Sequence, residues 1–149
     1  HMYHSTAMLL PDGRVVSAGG DDHATAQIFK PPYITCGAPR PTIDSAPPYM
    51  QYGHQYTISY HRNGGTEASK VCLIRLASVT HGFDQDQRRV PLSILAEVAP
   101  NPPTYYLPVI APLNGNIAPP GYYMLFILSE YTKNQFGPRD KARYVQVGP

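Results

Sequence analysis

The sequence predicts an all-β protein: one short propeller-type blade over about residues 1–38, then an immunoglobulin-like β-sandwich over about 39–149. Three observations carry this expectation. Seventeen prolines and twelve glycines in 149 residues leave little room for long helices, because proline removes a backbone donor and clashes in a helix interior. Short apolar or alternating runs recur along the chain, separated by turn residues. No segment shows a sustained helical period.

The first hairpin spans 6–18. Thr6–Leu10 and Arg14–Ala18 are apolar runs around Pro11-Asp12-Gly13. Proline presets φ there, aspartate bonds its own backbone and glycine supplies a positive φ. Gly19-Gly20-Asp21-Asp22 interrupts the pattern, and Ala26-Gln27-Ile28-Phe29 gives a third strand ending at Pro31-Pro32. Such a sheet is too small to bury a core by itself and calls for neighbouring blades.

Beyond Arg40, seven strands are expected: 42–44, 55–60, 70–76, 90–95, 104–108, 121–128 and 143–147. Alternation places Tyr56, Ile58 and Tyr60 on one face, and Val145 and Val147 on another. Asn63-Gly64-Gly65, Asn114-Gly115-Asn116 and Pro119-Pro120-Gly121 mark turns between them. Seven short strands in little more than a hundred residues are the pattern of an immunoglobulin-like sandwich.

Charge excludes several function classes. A net charge of +2, with no basic run, gives no footprint for nucleic acid. No apolar stretch approaches the roughly 20 residues of a membrane span. No signal peptide is read in the chain, which begins inside a motif, with His1-Met2 resembling a cloning scar. Cys36 and Cys72 permit one disulfide, but Cys72, in Val71-Cys72-Leu73-Ile74, reads as a small buried thiol.

Two of the six histidines have suggestive surroundings: His4 at the start of the first hairpin, after Tyr3, and His81 in Val79-Thr80-His81-Gly82. Imidazole suits copper and a tyrosine oxygen can join the same sphere. No short His-x-His spacing supports a metal, so the residues alone leave ordinary hydrogen-bonded histidines as the alternative. His23, His54 and His61 read as surface residues. Asp84, Asp86, Arg88 and Arg89 form a charged loop. It is either a solvated tip with internal ion pairs, each below about 1 kcal/mol, or a loop that docks into another domain and braces a ligand. Glycoside chemistry fits poorly, since it needs two carboxyls held across a sugar cleft. No Ser-His-Asp signature, phosphate loop or Cys-x-x-Cys pair is present.

Tyr3-His4-Ser5-Thr6-Ala7-Met8-Leu9-Leu10-Pro11-Asp12-Gly13-Arg14-Val15 closely resembles the last-blade motif of the galactose oxidase and glyoxal oxidase family of copper-radical oxidases. Ala26-Gln27-Ile28-Phe29-x-Pro31-x-Tyr33 is similar to that blade's closing strand, and Arg40-Pro41-x-Ile43 to the start of the family's C-terminal domain. Leu73-Ile74-Arg75 through Thr80-His81 to Asp86-Gln87-Arg88-Arg89-Val90-Pro91-Leu92 resembles the loop that this domain sends into the propeller. Pro120-Gly121-Tyr122-Tyr123-Met124-Leu125-Phe126 resembles a late strand. The motifs occur in family order over nearly the whole chain.

The resemblance implies a kelch-type last blade at 1–38 and an early-set sandwich at 39–149. It implies one copper ion in the intact parent, with His4 and His81 as equatorial ligands and Tyr3 as axial ligand and catalytic base. Asp84, Asp86, Arg88 and Arg89 would shape the loop around His81. The implied reaction is oxidation of a primary alcohol, aldehyde or sugar by O2, releasing H2O2, in a secreted or cell-surface parent. The family's radical cofactor joins a tyrosine to a cysteine in earlier blades. Neither Cys36 nor Cys72 matches that cysteine, so the chain alone is expected to be inactive and to need the upstream blades as partners. The alternatives are a non-catalytic structural module that binds protein or carbohydrate, and a family member that has lost catalysis.

Overall fold

The Pro11-Asp12-Gly13 turn forms as its residues dictate. Gly13 has φ +83°, its N–H donates to Leu10 O (2.9 Å), and the Leu10 N–H donates to Arg14 O (2.8 Å). The Asp12 carboxylate accepts the Arg14 N–H at 3.0 Å and its Nε–H at 2.7 Å. The Arg14 side chain holds the Asp12 carboxyl below the usual carboxylate range. In the computed structural model, which describes residues 4–20, 24–65, 68, 70–132, 135–138 and 141–149, this turn joins β1 (Ser5–Leu9) to β2 (Val15–Gly19). β3 (Ala26–Phe29) completes an antiparallel sheet of order β1-β2-β3. Met8 faces Val16, and Val16 faces Ile28. Every residue of β3 is exposed, including Ile28 and Phe29.

One helical turn, α1 (Pro32–Thr35), follows. The sequence reading did not anticipate it, because a single turn has no periodicity to detect. Pro32 stands at its first position, where no amide hydrogen is needed.

The remaining strands are β4 (Thr42–Ser45), β5 (Tyr49–Gln51), β6 (Gln55–His61), β7 (Lys70–Arg75), β8 (Val79–Thr80), β9 (Phe83–Asp84) and β10 (Arg89–Ile94). They continue as β11 (Val98–Asn101), β12 (Thr104–Ile110), β13 (Gly121–Thr132), β14 (Gln135–Pro138) and β15 (Arg143–Gly148). All seven expected strands are present, within a residue or two except that β13 runs on to Thr132. The short strands β5, β8, β9, β11 and β14 escaped the pattern, being too brief for alternation to register.

Hydrogen bonding runs β4-β6-β12-β10-β7-β13-β15-β5, with β11 beside β12 and β14 beside β13. β10 turns the corner between two layers. Arg89–Leu92 pair with β7, whereas Ser93 and Ile94 pair with Ile110 and Val109 of β12. The layers enclose one core. Ile43, Ile58, Tyr60, Leu107 and Val109 come from one side, and Val71, Leu73, Tyr123, Leu125, Ile127, Val145 and Val147 from the other. The expected inward faces of β6 and β15 are therefore observed.

β7 and β13 carry unbroken buried runs, Val71–Leu73 and Tyr123–Ile127. A strand reads this way when both of its faces are covered. Cys72, Met124, Phe126 and Ala142 point away from the sandwich core and pack with Leu9 of β1 and with Ile74 and Leu128. The blade-like sheet thus covers the sandwich's outer face at β7 and β13. Cys72 is buried there, Cys36 is exposed, and no disulfide joins them.

Candidate metal centre

His81 is the first residue of a two-residue turn. Val79 pairs with Asp84 and Thr80 with Phe83, so His81 and Gly82 form the whole connection between β8 and β9. Both have positive φ, +54° and +71°. This hairpin geometry matches strand twist but favours Asn-Gly or Gly-Gly. An imidazole residue in the left-handed region costs on the order of 1 kcal/mol.

The charged loop residues brace this hairpin. Asp84 Oδ1 accepts the Ser78 and Asp86 N–H groups at 3.1 and 3.0 Å. Asp86 lies 3.6 Å from Arg75 Nε on β7. Arg88 Nη1 donates to the carbonyls of Asn116 and Ile117 at 3.0 and 3.1 Å, while its own carbonyl accepts the Arg75 N–H. Asp84 therefore closes the loop on itself, while Asp86 and Arg88 tie it to the sandwich. The internal ion pairs of the simpler sequence reading are not what forms. Arg89 reaches Cys72, whose thiol burial pushes up while Arg89 pulls it down.

His4 stands just ahead of β1, also in the left-handed region at φ +59°. The hairpin packs against this point: a Cβ on Gly82 would lie 3.4 Å from Ser5 O. The His4 and His81 rings meet edge to face, centroids 4.8 Å apart and planes at 83°. The Thr80 hydroxyl lies 2.8 Å from His81 Nδ1. Both histidines are exposed. Tyr3, the third residue expected here, lies outside the described residues, as do His1, Met2 and His23.

Two imidazoles side by side on one ion, each nitrogen about 2 Å from it, have centroids roughly 4.5 Å apart. The observed separation fits such a pair, and nitrogen donors suit copper. Among the described residues no group of three His, Cys, Asp or Glu side chains gathers around a common point. The pair therefore needs further ligands to make a full coordination sphere.

A cleft of about 480 Å³ separates the two sheets beside this loop. Met8, Leu9 and Val15 line one wall, Ile74 and Met124 the other, with Asp84, Gln87, Arg88 and Arg89 at its polar end.

The two other described histidines, His54 and His61, have partners of their own. His54 is exposed and its Nδ1 lies 2.9 Å from Tyr52 O. His61, expected as a surface residue, is half-buried and pairs with Asp44 at 2.6 Å, its other nitrogen 3.3 Å from Thr104 Oγ1. Asp44, His61 and Thr104 come into line because β4, β6 and β12 are neighbours, which sequence spacing could not reveal. Sequence reading also passed over Thr80 and Arg75. Only their adjacency to His81 and to the loop signalled them.

Residues 40–135 match the family model described as galactose oxidase-like, early set domain. The chain is 35% identical to a protein named aldehyde oxidase GLOX from Vitis pseudoreticulata, over 99% of this chain and 30% of that protein. It is 36% identical to a galactose oxidase from Gibberella zeae, over 86% of this chain and 19% of that protein. A WSC domain-containing protein from Arthroderma benhamiae is 31% identical over 99% of this chain and 15% of its own length. The chain thus spans less than a third of each of these relatives. The early-set match and the two-layer β-sandwich agree, and the chain belongs to the galactose oxidase-like family, whose early set domain it carries.

Proposed function

We propose that this chain is the C-terminal part of a copper-radical oxidase that converts primary alcohols or aldehydes to aldehydes or acids, reducing O2 to H2O2. The observation that carries the reading is the His4–His81 pair. Two histidines 77 residues apart in the sequence, one just ahead of β1 and one in the β8–β9 turn, both in left-handed backbone, meet with ring centroids 4.8 Å apart. The convergence comes with two backbone conformations uncommon for non-glycine residues, which supports a shared ligand.

In this reading His4, His81 and Tyr3 would hold the copper ion, and Tyr3 would also be the base that takes the substrate hydroxyl proton. When bound, the metal supplies a Lewis-acid centre that lowers the pKa of a coordinated hydroxyl. The hairpin braced by Asp84, Asp86, Arg88 and Arg89 holds the His81 ring in place for that role. Cys72 is buried in a cluster with Met124 and Phe126, and Cys36 follows α1 with its thiol 3.7 Å from Tyr33 O. Neither is the cysteine of the radical cofactor, which belongs to earlier blades of the parent. Residues 1–38 are then the last kelch-type blade and 39–149 the early-set domain, in a secreted or cell-surface protein whose other blades complete the site.

The test is H2O2 release by the intact parent on primary alcohols and aldehydes. Activity lost in His81→Ala supports the reading. Copper uptake without H2O2 from any such substrate points instead to a non-catalytic family member, and absence of both to a structural or carbohydrate-binding module.

A further inference from the structure

The two nitrogens of an imidazole are chemically distinct, and the hydrogen bond made by one fixes what the other can do. His81 Nδ1 lies 2.8 Å from Thr80 Oγ1. Thr80 is not a casual neighbour. It belongs to β8 and pairs with Phe83 across the hairpin, so its backbone is set by strand pairing. Its β-branched side chain is stiff at χ1. The hydroxyl is thereby held at one place beside a ring whose own backbone is fixed by a two-residue turn.

We propose that Thr80 is a positioning residue for His81. Nδ1–H donates to Thr80 Oγ1, and Nε2, carrying the unshared pair, is the nitrogen offered to the metal. This rests on the oxidase reading for what Nε2 binds, but not for the state of the ring. The alternative, with Thr80 donating to a bare Nδ1, would leave a proton on Nε2 and block ligation through it. A threonine next to the ligand in sequence thus does what a carboxylate or backbone carbonyl does for many metal-bound histidines. Serine keeps the acceptor, and valine keeps the shape but removes it. Thr80 is exposed, so neither change disturbs a core.

The experiment uses the metal-free 149-residue chain at pH 8, where an ordinary imidazole is neutral. Long-range proton–nitrogen NMR spectra report which nitrogen of His81 is protonated in the wild type, Thr80→Ser and Thr80→Val. The expected result is protonated Nδ1 in the wild type and Thr80→Ser, shifting towards protonated Nε2 in Thr80→Val. Cu(II) titration of the same three proteins should then show Thr80→Val weakened about 10- to 100-fold, with Thr80→Ser near wild type. Protonated Nε2 in the wild type, or a valine variant that matches wild type in tautomer or binds copper as tightly as a copper-binding wild type, overturns the proposal. If the tautomers behave as expected but none of the three binds copper, His4 and His81 do not suffice as a copper pair in this chain and the Thr80–His81 assignment stands.

Discussion

Gly137 of β14 lies beneath the Tyr33 side chain so closely that a methyl group at 137 would overlap the Tyr33 Cβ. The same tyrosine donates its hydroxyl to Gly13 O at 2.6 Å. A Cβ on Gly13 would meet Pro138 at 3.0 Å and the Tyr33 ring at 3.3 Å. Ala142 N–H donates to Pro11 O, and Arg40 donates to Asp12 O. The far end of the first hairpin is therefore clamped to the sandwich, while its near end carries His4. Replacing Gly137 with Ala should destabilise the chain by about 1–3 kcal/mol, the usual cost of overpacking, whereas Tyr33→Phe should cost about 1 kcal/mol through one lost hydrogen bond. Denaturant unfolding checks both values.

His81→Asn separates stability from ligation. Asparagine tolerates the left-handed first position of the turn better than histidine. The variant should therefore gain up to about 1 kcal/mol in unfolding free energy while losing one nitrogen from any copper signal. A variant that is less stable than wild type would contradict the strain assigned to this turn.

Tyr60 predicts an alkaline transition. Burial, and then the hydrogen bond to Glu97, push its phenol up to about 12, and its oxygen also accepts the Ala68 N–H at 3.1 Å. The folded value lies above the unfolded value of about 10, so the protonated phenol favours the fold. That contribution is whole below about pH 10 and is lost as pH rises through about 12. Stability measured against pH should fall across this window, with tyrosinate absorbance rising in step. Tyr60→Phe should flatten the fall and lower neutral-pH stability by roughly 1–3 kcal/mol, because Ala68 N–H loses its acceptor.

Leu9 reports on the joint between the sheets. It is half-buried against the second apolar cluster, whereas Leu125 is buried in the sandwich core. Leu125→Ala should cost about 2–5 kcal/mol and lower protection everywhere. Leu9→Ala should cost less and speed amide exchange in β1 while sparing β6 and β12, which hydrogen exchange resolves strand by strand.

Much of this architecture is legible in the sequence, for physical reasons. Pro11-Asp12-Gly13 states its own turn, and the alternation in Gln55–Tyr60 and Tyr144–Val147 states which faces point inward. The unbroken run Tyr122–Leu128 gives a strand, but what covers its second face is a tertiary fact: Leu9, more than a hundred residues earlier. β8 and β9 are two residues each, so no pattern marks them. Their existence depends on Asp84 closing the hairpin through its carboxylate. Their surroundings marked the two histidines as weak candidates, and only the resemblance assigned them as ligands, since no local spacing links them. Their meeting required β1 and the hairpin to be packed together, which composition and periodicity do not encode.

The central claim is that His4 and His81 form a nitrogen pair for copper, and Cu(II) titration followed by EPR tests it most directly. The account predicts a nitrogen-ligated signal in the 149-residue chain that disappears in the His4→Ala, His81→Ala double variant. The same signal in both proteins, or none in either, would contradict it.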